Sequence, residues 1–84
     1  MTLQSQFEQA QADSKKLDER PDPATLLKLY ALYKQASSGD AGGERPGVTD
    51  MIGRAKWDAW NALKGTSTDD AMQQYVNLVA DLKG

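Results

Sequence analysis

Apolar side chains recur every three or four residues in four separate segments of this sequence, and that spacing is the strongest constraint on its fold. It places the apolar residues of each segment on one helical face, whereas a half-buried strand needs strict alternation. The first segment runs from about Gln4 to Leu17, with Leu3, Phe7 and Ala10 on that face. The chain is therefore predicted to be all-α, with four helices.

Residues that favour helix ends separate these segments. Ser5 forms a capping-box spacing with Glu8 at the first helix, although Thr2 is an alternative start. Asp22 is well placed to cap the second helix, because Pro23 at its first position has no amide hydrogen to satisfy.

The other helix limits are predicted in the same way. Asp50 is expected to cap the third helix and Ser67 the fourth, while Gly39 and Gly65 are expected to end the second and third. Residues 40–49 have no helical spacing and contain a Pro-Gly turn signal, so they are predicted to form a long irregular connection.

Composition limits the kind of protein. The 84 residues suffice for one domain, 1–84, and contain no cysteine and no histidine, which removes disulfides, thiolate metal sites and the commonest acid-base catalyst. A net charge of -2 argues against a general nucleic-acid binder. Without a signal-like N-terminus or an apolar run of about 20 residues, we expect a cytoplasmic protein with no stable membrane insertion.

One group of side chains has the composition of an anion site. Tyr30, Tyr33 and Lys34 project from neighbouring positions of the second helix, and Arg54 and Lys56 extend the group if the third helix packs alongside. Spacing alone favours a different interpretation, in which the tyrosines lie at the edge of the core and the basic residues are solvated. Trp57 and Trp60 could form a stacking platform, but at least one of them is expected to pack in the core, and both interpretations stay open for Tyr75.

Four runs of residues, in their order and spacing, carry a resemblance. They are YKQASSGD from Tyr33, ERPG from Glu44, KWDAWNALKGTS from Lys56 and DAMQQYV from Asp70. On these runs the chain resembles the acyl-coenzyme A-binding protein family from residue 7 to residue 82. The resemblance implies an up-down-down-up four-helix bundle with a long overhand loop between helices two and three.

The resemblance also implies two sets of ligand-binding residues. The residues matching those that hold the ribose 3'-phosphate of coenzyme A are Tyr30, Lys34 and Lys56. The residues matching those near the adenine and the rest of the head group are Tyr33, Tyr75 and, on helix one, Lys15. The acyl chain is expected in a groove lined by Leu26, Leu27, Met51 and Ile52.

Three positions depart from the usual pattern of that family. Ile52 stands where relatives often have a basic residue, Ser14 where they have an apolar one, and Gln11 where they have a small one. We expect these changes to tune affinity and stability, and those at Ser14 and Gln11 to weaken the contact between helices one and four.

The resemblance implies a monomeric, non-catalytic carrier of medium- to long-chain acyl-CoA thioesters, which needs no cofactor or metal and serves acyl-CoA-using enzymes. One alternative is a helical interaction module that docks a partner helix on its tyrosine and tryptophan surface. Another is an enzyme acting on the thioester through Ser38, Asp40 or Glu44, which the missing histidine and cysteine disfavour.

Overall fold

Four helices joined by irregular segments make up the computed structural model, which describes residues 2–84. They are α1 (Leu3–Ser14), α2 (Pro23–Ser38), α3 (Met51–Asn61) and α4 (Thr68–Lys83). No strand occurs among residues 2–84, so the predicted all-α class and number of helices are confirmed.

Three of the predicted N-caps are found where the sequence placed them. Asp22, Asp50 and Ser67 each accept a hydrogen bond from the backbone N–H three residues further along, which satisfies a donor that the first turn leaves free. The end of α2 is also as predicted, because Gly39 follows it with a φ of 79°, a conformation that glycine adopts without strain.

The limits of α1 differ from the prediction. Thr2 caps the helix and accepts from the backbone N–H of Ser5 at 3.1 Å, so Ser5 lies inside the first turn. The helix therefore begins at Leu3, one residue earlier than predicted. The helix ends at Ser14, before Leu17, where the Ser14 hydroxyl donates to a backbone carbonyl three residues back at 2.8 Å. Such local side-chain bonds compete with continued helix.

The regular part of α3 is also shorter than predicted. It ends at Asn61, and the backbone N–H groups of Leu63 and Lys64 then bond to carbonyls three residues back. These tighter turns satisfy the last free carbonyls of the helix and carry the chain to Gly65, whose φ is 90°.

The core lies between three of the four helices. α1 packs against α4, α4 against α2, and α2 against α3. The buried cluster consists of Phe7, Ala10, Leu29, Leu32, Ala36, Ala71, Tyr75 and Val79. All of these belong to α1, α2 or α4, and α3 contributes no buried residue. The third helix is therefore attached to the bundle by its partly exposed side chains.

Two side-chain contacts set the relative direction of α2 and α3. The Lys56 ammonium lies 5.3 Å from the centre of the Tyr30 ring, and the Lys34 ammonium lies 4.9 Å from the centre of the Trp60 ring. The second contact is four residues further along both helices, so α2 and α3 run parallel. Parallel neighbours need a long connection, which residues 39–50 provide.

Candidate ligand-binding site

Two lysines and two aromatic rings occupy the surface where α2 and α3 meet. We call this surface the α2–α3 face and define it by Tyr30, Lys34, Lys56 and Trp60. Each ammonium lies over an aromatic ring of the other helix, a favourable cation–π geometry. The structure thus brings together the three residues that the sequence assigned to a phosphate.

The charges of these two lysines have no carboxylate partner within 4.0 Å in the part of the chain that the structure describes. The ion pairs found there are Arg45 with Asp58 and Lys83 with Asp13. An ammonium that is held against a ring keeps its hydrogen-bond donors and its charge available. The α2–α3 face is therefore suited to an anion.

Tyr33 lies beside this face and is partly open to solvent. It is 40% exposed, and one side of its ring stacks on Phe7 of α1, with ring centres 6.2 Å apart. Phe7 in turn meets Tyr75 edge-on at 5.2 Å. The three rings form a row from the surface into the core, which supports Tyr33 from below.

Tyr75 is a core residue in this structure. Only 5% of it is exposed, and its hydroxyl donates to the Ser14 hydroxyl at 3.3 Å. Of the two interpretations left open by the sequence, core packing is the one that this burial supports. The polar Ser14 thus provides a hydrogen-bond partner for a largely buried phenol.

Lys15 follows directly after α1 and is exposed. Among residues 2–84 its ammonium makes no hydrogen bond or ion pair with the other candidate residues. Its neighbour Ser14 contacts the Tyr75 hydroxyl, so the backbone of Lys15 lies near the Tyr75 end of the row of rings. The structure does not join it directly to the α2–α3 face.

The four residues assigned to an acyl chain lie on the first turns of α2 and α3. Leu26 and Leu27 are half-buried, whereas Met51 and Ile52 are 77% and 73% exposed. Because the helices are parallel with Tyr30 opposite Lys56, the positions four residues earlier, Leu26 and Ile52, also lie opposite each other.

Sequence reasoning missed Val48, which is 74% exposed just before α3. An apolar residue within a polar, glycine-rich connection was the only signal for it. Together with Met51 and Ile52 it makes the start of α3 unusually apolar for an exposed surface.

The two tryptophans hold the long connection against α3. The indole N–H of Trp60 donates to the Gly39 carbonyl at 2.8 Å, and that of Trp57 donates to the Gly42 carbonyl at 3.4 Å. Both rings are half-buried, so the expectation that at least one belongs to the core is wrong. An indole needs a partner for its N–H, and here the loop carbonyls provide it.

A bidentate ion pair fastens the same connection further along. The Arg45 guanidinium donates to both carboxylate oxygens of Asp58 at 2.7 and 2.6 Å. These hydrogen bonds lower the pKa of Asp58 and raise that of Arg45. Arg54, the other basic residue suggested by the sequence, is half-buried on α3.

No helix within residues 2–84 is long and apolar enough to cross a membrane, and no group of acidic side chains there could hold a metal ion. A concavity of about 440 Å³ lies between the ends of α1 and α4, lined by residues that include Asp13, Leu17 and Lys83. None of the candidate residues borders it.

Comparisons with known proteins agree with this architecture. A family model described as acyl CoA binding protein matches residues 4–79. The acyl-CoA-binding protein 2 of Oryza sativa is 40% identical, with a TM-score of 0.91 over 95% of this chain and 87% of that one. An acyl-CoA-binding protein of Moniliophthora perniciosa is 36% identical, with a TM-score of 0.89 over 98% of this chain and 80% of that one.

A solution structure of the yeast acyl coenzyme A binding protein is 46% identical, with a TM-score of 0.71 over 90% of this chain and 88% of that one. The parallel α2 and α3 and their long connection are consistent with the up-down-down-up bundle expected from the sequence. The match covers the core, the α2–α3 face and the connection alike. This chain therefore belongs to the acyl-CoA-binding protein family.

Proposed function

We propose that this protein is a non-catalytic carrier that binds medium- to long-chain acyl-CoA thioesters, buffers their free concentration and presents them to enzymes. One observation carries the proposal beyond family membership. Lys34 and Lys56 lie on the same α2–α3 face, over the rings of Trp60 and Tyr30, and neither ammonium has a carboxylate within 4.0 Å among residues 2–84.

This arrangement suits the 3'-phosphate of coenzyme A. A phosphate monoester carries nearly two negative charges at neutral pH, and two ammonium groups match that charge. Charge-assisted hydrogen bonds of this type are roughly twice as strong as neutral ones. Tyr30 contributes a hydroxyl donor, while its ring keeps Lys56 in place.

The adenine is proposed to stack on the open part of Tyr33. Stacking of a base on an aromatic side chain contributes about 1–3 kcal/mol. Phe7 and Tyr75 support the Tyr33 ring from the core. In this proposal Tyr75 acts chiefly through that support, and Lys15 contributes positive charge near the head group.

The acyl chain is proposed to cover Leu26, Leu27, Met51 and Ile52. Each methylene removed from water contributes about 0.8 kcal/mol, so each pair of carbons strengthens binding by about tenfold until the apolar surface is full. Met51 and Ile52 are largely exposed, so an acyl chain that covers them would remove most of their apolar surface from water.

We expect no turnover of the thioester. Asp40, one of the residues an enzyme would need, already accepts two hydrogen bonds, which lower its pKa and keep it ionised. With no histidine or cysteine in the chain, the commonest pairs of nucleophile and base are missing. We also expect a cytoplasmic monomer that needs no metal or other cofactor.

Calorimetric titration with palmitoyl-CoA, free coenzyme A and palmitate tests the proposal. We expect nanomolar to micromolar binding of the thioester and much weaker binding of either fragment. No heat of binding with palmitoyl-CoA would reject the carrier function. Appearance of free thiol during incubation would instead indicate a hydrolase.

The phosphate assignment is tested with Lys34→Ala and Tyr30→Phe. Both variants should bind palmitoyl-CoA more weakly, by about tenfold or more for the lysine, yet bind its 3'-dephospho analogue almost as the original protein does. Lys28→Ala is the matched control, because Lys28 lies on the same helix but lines a shallow concavity shared with residues of α4. Equal losses with both ligands would reject the assignment.

A further inference from the structure

One cluster of polar side chains has no part in the site described so far. Gln35 is fully buried, and its amide nitrogen donates to the Thr66 carbonyl at 2.8 Å and to a carboxylate oxygen of Asp40 at 2.9 Å. The same oxygen of Asp40 accepts from the backbone N–H of Gly65 at 2.9 Å. We call these four residues the Asp40 junction.

The Asp40 junction joins three parts of the chain at one point. Gln35 belongs to the last turns of α2, Asp40 begins the long connection, and residues 65–66 form the turn after α3. The preceding residue, Gly39, also receives the Trp60 indole N–H. The C-terminal end of α3 is thus tied to the C-terminal end of α2 by hydrogen bonds.

α3 itself contributes no buried residue, although Leu63 in the turn that follows packs against the core, so the hydrogen bonds at this end add to packing in setting the position of α3 along α2. The contact of Lys34 with Trp60 and that of Lys56 with Tyr30 both depend on this position. Sliding a helix by one residue moves its side chains by about 1.5 Å. A charge-assisted hydrogen bond tolerates only a few tenths of an ångström, so such a slide separates the two ammonium groups from a shared phosphate.

We infer that Asp40 is a positioning residue for the phosphate site: through Gln35 and Gly65 it fixes the register of α3 against α2, and so the spacing of Lys34 and Lys56. This inference rests on the proposed function. It also gives a physical reason for the run YKQASSGD, in which the phosphate-binding lysine, the buried glutamine and the aspartate occur within eight residues.

The test measures phosphate selectivity, the ratio of the Kd for 3'-dephospho palmitoyl-CoA to the Kd for palmitoyl-CoA. Asp40→Ala removes both accepted hydrogen bonds and should lower this ratio by about tenfold. Asp40→Asn keeps a carbonyl oxygen in the same place and should restore most of the ratio. A loss of stability alone does not change the ratio, because both ligands select the same folded molecules.

Asp58→Asn is the matched control. It weakens another link between the connection and α3, the one with Arg45, but leaves the junction intact, so the ratio should stay as in the original protein. If Asp40→Ala does not fold, Asp40→Glu replaces it, since the longer side chain displaces the carboxylate. The ratio should then fall more in Asp40→Glu than in Asp40→Asn.

An unchanged ratio in Asp40→Ala, or in Asp40→Glu where that variant is needed, would overturn the inference. So would an asparagine variant that loses as much selectivity as the alanine variant. Failure of the proposed function is recognised separately, because the unsubstituted protein would then bind no thioester or would not distinguish it from the 3'-dephospho analogue.

Discussion

The α1–α2–α4 core and the α2–α3 face are held together by different physical means. The core is a cluster of buried apolar and aromatic side chains, in which Leu32 and Val79 are almost completely inaccessible. The α2–α3 face has no buried residue from α3 and depends on cation–π contacts and hydrogen bonds. Burial is therefore concentrated in one region, and the proposed ligand site lies in the other.

α2 serves both regions with different faces of one helix. Leu29 and Leu32 lie in the core, while Tyr30 and Lys34 lie on the α2–α3 face. Successive residues of a helix are rotated by about 100°, so these two sets point in different directions. Substitutions on α2 can thus separate stability from affinity.

The largest expected effect on stability follows from Leu32→Ala. The leucine is 1% exposed, and truncating a buried leucine costs about 2–5 kcal/mol because a cavity remains. Urea unfolding should show this loss, while the molecules that remain folded bind palmitoyl-CoA with unchanged affinity. A large loss of affinity at temperatures where the variant is folded would show that the two regions are coupled.

Ile52→Ala is the matched substitution on α3, with the opposite expectation. The side chain is 73% exposed, so the free energy of unfolding should change by less than about 0.5 kcal/mol. If the acyl chain covers Ile52, its truncation should weaken palmitoyl-CoA binding by about tenfold and leave binding of free coenzyme A unchanged. Equal affinity for palmitoyl-CoA in both proteins would remove Ile52 from the acyl groove.

A smaller effect is expected where the core meets the site, at Tyr75 and Ser14. Ser14→Ala and Tyr75→Phe each remove the hydrogen bond between the two hydroxyls, at a cost of about 1 kcal/mol in thermal or urea unfolding. If Tyr75 acts through core packing, both variants should bind palmitoyl-CoA equally well. Weaker binding by Tyr75→Phe alone would instead show a direct contact with the head group.

The smallest of the expected effects is a loss of stability at low pH, where the carboxylates that attach α3 become protonated. The Gly65 N–H and the Gln35 amide lower the pKa of Asp40 from 3.8, and Arg45 lowers that of Asp58 from the same value. Because these pKa values are lower in the folded state, the carboxylates stabilise the fold above about pH 3.8 and lose that contribution as the pH falls through the folded values.

The measurement is the free energy of unfolding as a function of pH between 6 and 2, as a series of urea transitions. Asp40→Asn should show a shallower acid decline than the original protein, because one of the carboxylates with a lowered pKa is missing. An identical decline in the two proteins would contradict the link between Asp40 and acid stability.

Local signals explain why much of the fold was predictable. The four apolar stripes and the caps at Asp22, Asp50 and Ser67 depend on residues within one or two turns of each other. The start of α1 is ambiguous in the sequence because Thr2 and Ser5 both have capping side chains. The structure distinguishes them, since the Thr2 hydroxyl accepts from the backbone N–H of Ser5.

Local sequence signals predict the candidate site less well than the fold. Met51 and Ile52 continue the apolar pattern of α3, but periodicity shows which residues share a face and not what covers that face. The Tyr30, Lys34 and Lys56 assignment came from the family resemblance, since spacing alone favoured solvated side chains. The role of Gln35 needs a partner 31 residues away, which no local pattern contains.

Because α3 has no buried residue, we expect it to be more mobile than the other helices. Segments with few buried apolar contacts open locally at a lower free energy than the whole domain unfolds. The backbone amides of α3 should therefore exchange with solvent faster than those of α4, which carries three buried residues. If the proposed cargo binds across both helices of the α2–α3 face, it should stabilise the closed state and slow the exchange of the α3 amides.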